Sequence, residues 1–71
     1  MTVEIYVRLL DEGVDVWRAA MATREGDTFR LLGPLPPNET WEFQPGMRVR
    51  CKSVRFEDAR EERLVAYALA E

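Results

Sequence analysis

A thiol or serine nucleophile in this sequence would be Cys51 or Ser53, and covalent catalysis would require a base within reach of one of them. The 71 residues contain no histidine and a single serine. The commonest general base and the commonest metal ligand are therefore both absent. Cys51 falls on the same alternating face as Val49, where a cysteine serves as a small hydrophobe. The one dense carboxylate group is Glu57, Asp58, Glu61 and Glu62, interleaved with Arg60 and Arg63. Acid–base work would require environments that separate their pKa values, and this mixed-charge run reads instead as a solvated loop or helical turn. No spacing of ligands suits a metal, and no glycine-rich loop could cradle phosphate. The expectation is a chain that is not an enzyme, with no catalytic residue, no cofactor and no metal.

Two binding chemistries remain. Arg48, Arg50 and Lys52 alternate along one stretch, with Arg55 close behind. A basic row on a small barrel can hold the phosphates of single-stranded nucleic acid, with a modest, salt-sensitive affinity. The competing reading is a solvated face whose arginines pair with carboxylates on a neighbouring strand. The second chemistry is aromatic. Tyr6 lies on the polar side of its segment, Trp17 is followed by Arg18, and Trp41 is large for so short a chain. Trp and Arg are frequent binding hot spots, and a shallow aromatic groove can hold an extended partner segment. Tyr6, Trp17, Arg18 and Trp41 are thus candidate partner-binding residues, unless the tryptophans cover the ends of a thin core. The leading expectation is a protein-interaction module, acting on an unknown protein partner or as a homodimer through an edge strand. Weak nucleic-acid binding through Arg48, Arg50, Lys52 and Arg55 is the alternative.

The elements that must position these groups are strands. Val3, Ile5, Val7 and Leu9 share one face of a first strand, with the period of two that a half-buried strand requires. Residues 14–23 read as a second strand with apolar side chains on both faces, and Phe29 and Leu31 flank an outward Arg30 in a third. Trp41 and Phe43 share a face in a short piece. From Met47 to Lys52 the alternation is clean; Val54 and Phe56 then continue it one residue out of phase. Such a slip requires an extra residue, which predicts a β-bulge near Lys52 or Ser53. In the last segment Val65, Tyr67 and Leu69 alternate as a strand should, while residues 58–71 are rich in helix formers. The strand is preferred, with Val65, Tyr67 and Leu69 on one face.

Turn chemistry separates these pieces. Asp11-Glu12-Gly13 and Glu25-Gly26-Asp27 read as hairpin connections. Gln44-Pro45-Gly46-Met47 has the proline and glycine positions of a type II turn. Residues 33–40 hold three prolines, which exclude a central strand. Five or six short strands with tight turns predict an all-β fold: a small, five-stranded, partly open β-barrel as a single domain over residues 1–71.

Three stretches carry a family resemblance: Glu12-Gly13-Val14-Asp15-Val16-Trp17-Arg18, Phe29-Arg30-Leu31-Leu32-Gly33, and the run from Trp41 through Pro45-Gly46 to Cys51. Together with Leu64-Val65-Ala66, they make the chain similar to a family of short bacterial proteins of unknown function. That resemblance implies an SH3-like barrel and no established activity, cofactor or catalytic residue. It leads one to expect proline after the Trp-Arg pair, where this chain has Ala19.

Composition sets the remaining bounds. Ten basic against thirteen acidic residues give a net charge of −3, which suits solubility better than a chain built mainly to grip nucleic acid or anionic lipid. A single cysteine excludes an internal disulfide and agrees with a reducing compartment. No signal peptide, lipidation motif or membrane-length apolar run is visible. A cytoplasmic location without a membrane partner is expected.

Overall fold

The computed structural model describes residues 1–10, 16–55 and 61–70. It contains five strands: β1 (Thr2–Leu9), β2 (Val16–Glu25), β3 (Thr28–Leu31), β4 (Arg48–Val54) and β5 (Arg63–Leu69). They close into a barrel in chain order. Each sequential pair is antiparallel, whereas β5 returns parallel to β1 and meets it at a single Cα pair, Tyr6 with Val65. That narrow seam makes the barrel partly open. No helix occurs among the described residues, hence none long and apolar enough to cross a membrane.

Alternation decides the core. Ile5, Val7 and Leu9 are buried on the inner face of β1 while Glu4 and Arg8 face solvent. Ala20 and Ala22 lie opposite Ile5 and Val3, so small side chains on β2 make room for large ones on β1. Phe29 and Leu31 of β3 and Val49 of β4 complete the inner layer, with Arg30 outward as expected. Trp41 and Phe43 join this cluster from outside the strands. Their segment lies along β1, where Leu10 N–H donates to the Thr40 carbonyl (2.7 Å) and Glu42 N–H to the Arg8 carbonyl (2.9 Å).

The expected type II turn forms: Met47 N–H donates to the Gln44 carbonyl at 3.1 Å, and Gly46 adopts φ +95°, the left-handed region that glycine tolerates best. The Glu25-Gly26-Asp27 connection joins β2 to β3 as a hairpin. The predicted Asp11-Glu12-Gly13 turn lies outside the described residues, as do Phe56 and the carboxylates Glu57 and Asp58.

Three expectations about strand extent and phase are corrected. β2 continues to Glu25, past the expected end at 23, because pairing of Ala22 to Glu25 with β3 carries the strand on; residues 14 and 15 lie outside the described residues. The register shift falls between Arg50 and Cys51, one residue ahead of the expected place near Lys52 or Ser53, and on the other strand. Arg50 faces Ala68 while Cys51 faces Ala66, so the extra residue is Tyr67 on β5, and β4 is not re-phased. In consequence Val65, Tyr67 and Leu69 do not share a face. Val65 is buried, Tyr67 and Leu69 are 49% and 45% exposed, and Tyr67 stands unpaired opposite β4. The segment is nevertheless a strand, paired with β4 throughout apart from that residue.

Candidate functional site

Backbone polarity along β2 defines the most unusual feature of the surface. Arg24 N–H donates to the Met1 carbonyl at 3.2 Å, and the Met21 carbonyl accepts from Leu32 N–H at 2.9 Å. N–H and C=O groups switch sides from one residue to the next in an antiparallel ladder. Even-numbered residues of β2 therefore turn theirs toward β1, and Thr23, Met21 and Ala19 turn theirs away. Thr23 is opposite Arg30 of β3, and Met21 holds Leu32. At Ala19 the ladder has ended: no backbone group among the described residues meets its N–H or C=O. Continuing the register from Ala22–Leu31 would put residue 34 opposite Ala19. That residue is proline, which has no N–H to give. The chain turns away there, and a gap stays open between β2 and residues 33–36.

The gap is a cavity of about 320 Å³, at the small end of the range that ligand sites occupy. Ala19, Met21, Pro34, Pro36, Arg18 and Trp41 are among its lining residues. Met21 is 46% exposed, a thioether on the rim that can adapt to an incoming side chain. One end of the cavity is polar. The Arg18 guanidinium pairs with one oxygen of Glu39, whose other oxygen accepts the Trp41 indole N–H at 2.9 Å. Glu39 is only 10% exposed, and both carboxylate oxygens are occupied.

The Arg18 hydrogen bond, followed by that of the Trp41 indole, holds the Glu39 carboxyl below its ordinary value of 4.5. Because the folded-state pKa is depressed, the stabilisation is fully present above the unfolded carboxylate value and is lost as pH falls through the folded one. Glu39→Gln should therefore lower the urea midpoint at neutral pH, and the gap from the parent should narrow as pH falls below 4.5. Urea titrations of both proteins from neutral to strongly acidic pH measure this. A gap that stays constant across the range would mean that Glu39 ionisation plays no part.

Of the four candidate partner-binding residues, the structure brings Arg18 and Trp41 to this cavity. Trp41 is 3% exposed, so its ring is part of the core and supplies wall, not an exposed anchor. Tyr6 and Trp17 are half-buried, each engaged in contacts, and neither lines the cavity. They project from the outer face of β1 and β2 while Trp41 packs on the inner side, so a single groove built from Tyr6, Trp17 and Trp41 is not assembled. Ala19, Pro34 and Glu39 escaped the sequence reading. The one signal for them was proline at a position where the ladder would need a donor.

Arg48, Arg50 and Lys52 project outward from β4 as expected, and all three are exposed. Arg55 follows the end of β4; with no re-phasing of that strand it does not extend the row. The expected pairing with carboxylates on a neighbouring strand is absent among the described residues. Arg48 faces Arg30, Arg50 faces Ala68 and Lys52 faces Val65. Ion pairs among the described residues include Arg18–Glu39, Arg30–Glu25 and Arg63–Glu61.

Cys51 is half-buried and packs against the core. Burial pushes its thiol up to about 11, so at neutral pH it is a protonated apolar group and a poor nucleophile. Among the described residues, no three Cys, Asp or Glu side chains gather closely enough to hold a metal ion. Compared with known protein families, curated proteins and solved structures, the chain matches none.

Proposed function

We propose that this domain is a protein-interaction module that takes an extended segment of a partner as an added strand along the Ala19 edge of β2. The observation that carries this reading is the outward N–H and C=O of Ala19, bare among the described residues and lining the cavity. Strand addition draws its affinity from main-chain hydrogen bonds and its selectivity from pockets for alternate side chains. Ala19 supplies one donor and one acceptor, and the cavity walls of Met21, Trp41, Pro34 and Pro36 favour an apolar side chain entering between them. The proline wall stands across from the edge and suits a lone extended segment. Among the described residues every strand of a second copy is already in its own barrel, which favours a partner segment over a homodimer.

The test uses short peptides selected from a displayed random library against the intact domain. A selected peptide should slow amide exchange at Ala19 and shift the amides of Met21, Gly33 and Leu35. Ala19→Pro should weaken binding about tenfold, the effect of losing one main-chain bond, while leaving the melt cooperative. No backbone group among the described residues uses that N–H, and proline is tolerated where a strand edge faces outward. Recovery of no peptide, protection located elsewhere, or equal binding by Ala19→Pro would each overturn the proposal.

A further inference from the structure

The row on β4 is independent of the groove. Arg48, Arg50 and Lys52 stand on one outward face, two residues apart, which spaces them by ~6.8 Å along the strand. Among the described residues neither Arg48 nor Arg50 makes an ion pair or a side-chain hydrogen bond. Lys52 has one contact, its Nζ lying 5.6 Å from the centre of the Tyr67 ring. The cross-strand neighbours add no negative charge: they are Arg30, Ala68 and Val65. Arg30 is itself held by Glu25, with 3.0 Å between Nε and the carboxylate.

Like charges directly opposite one another, as Arg30 and Arg48 are, destabilise a sheet. Collecting cations on one strand of a chain with net charge −3 does nothing for the fold. Tyr67 adds the second element. As the extra residue at the register shift, it is 49% exposed and stands beside the row. At its Arg48 end the row opens on a hollow of about 460 Å³ bordered by Arg30, Met47 and Leu69. Met47 and Leu69 are both partly exposed and offer apolar walls to a flat ring.

We infer that this face is a binding site for single-stranded nucleic acid, with Arg48, Arg50 and Lys52 on the phosphates and Tyr67 under a base. The ~6.8 Å spacing lets each cation reach a separate phosphate of an extended strand. An exposed ring beside a phosphate track is the arrangement by which single strands are held without sequence preference. An acidic peptide would use the cations and leave Tyr67 idle, which is what the experiment exploits.

Amide and Tyr67 ring shifts of the labelled domain are to be followed with oligothymidylate, oligouridylate, polyglutamate and inorganic phosphate. The oligonucleotides should move residues 48–52 and 65–68. Three phosphate contacts on a single strand predict a log–log salt slope near −2, so tenfold more salt should weaken binding about 100-fold. Arg48→Gln with Arg50→Gln should abolish the shifts and keep the fold, since both side chains are exposed. Tyr67→Ala should weaken oligonucleotide binding about tenfold with the salt slope unchanged, because stacking carries no charge. The inference is overturned by shifts that map elsewhere, by no shift at low salt, or by an unaffected Tyr67→Ala. Equal binding of polyglutamate or inorganic phosphate would overturn it too, by reducing the face to a general anion attractor.

Discussion

Trp41→Ala is expected to leave no cooperative folding transition at 25 °C. The indole is 3% exposed and packs within the cluster of Ile5, Val7, Leu9 and Phe43. Truncating a buried tryptophan to alanine costs about 3–5 kcal/mol. A domain of this size has roughly 5 kcal/mol of total stability and buries only about 60% of the surface its unfolded chain exposes. One side chain therefore decides whether the barrel exists. The substitution also removes the indole donor of the Glu39 carboxylate, compounding the loss at the polar end of the groove. Near-ultraviolet circular dichroism and urea titration measure the outcome. Trp41→Phe, which keeps an aromatic ring but loses the N–H and part of the indole volume, should stay folded with a loss of about 1–3 kcal/mol. A Trp41→Ala melt within about 1 kcal/mol of the parent, less than burial of one such ring is worth, would remove Trp41 from the core.

Ala66→Pro is expected to be nearly as damaging, through the barrel seam. The Arg8 carbonyl accepts from Glu42 N–H, so even-numbered residues of β1 point their backbone groups away from β2. Tyr6 accordingly faces β5, where its Cα partner is Val65. In a parallel ladder such a residue bonds to the two neighbours of its partner, so Ala66 N–H serves the Tyr6 carbonyl. Proline removes that donor at the single point where β5 meets β1. A carbonyl left without a partner costs about 1–3 kcal/mol, and adding ring atoms at a site that is 3% exposed costs about 1–3 kcal/mol more. The sum reaches most of the domain's stability. Amide exchange across residues 5–7 and 64–66, with a urea titration, measures it. Protection at Tyr6 and a midpoint both unchanged in Ala66→Pro would show that the seam does not depend on this bond.

The two substitutions separate stability from binding. Both act on the core or the seam, whereas Ala19→Pro and the arginine changes on β4 touch groups that the fold does not use. A protein that folds normally with Ala19→Pro and fails to bind locates its function on the β2 edge. Arg48→Gln with Arg50→Gln leaves that edge intact and reports only on the basic face.

How far each feature could be read in advance follows from the range of the interaction that creates it. Alternation is local: Val3, Ile5, Val7 and Leu9 can reach one core only as a strand, and Phe29 with Leu31 likewise. The Pro45-Gly46 turn is equally local, since proline and glycine preset their own backbone angles. The all-β class and the inward or outward side of β1, β3 and most of β4 were therefore determined by sequence alone. Phase in β5 was not, because a bulge is a property of two strands. The slip in the sequence beside Lys52 points to β4, whereas pairing places the extra residue at Tyr67 on β5. The tryptophans were ambiguous for a related reason. Trp41 lies outside the strands, and only its bridge to Leu9 turns it inward, away from Tyr6 and Trp17. Partnership among charges was decided at longer range still. Glu39 reaches Arg18 across 21 positions of sequence, and Arg48 meets Arg30 instead of a carboxylate. The candidate groove is the extreme case. Ala19 is an unremarkable residue in a strand, and Pro34 is one of several prolines in a loop. Only the β2–β3 register sets the missing donor of one opposite the bare edge of the other, because hydrogen-bond pairing is decided between strands and not within them.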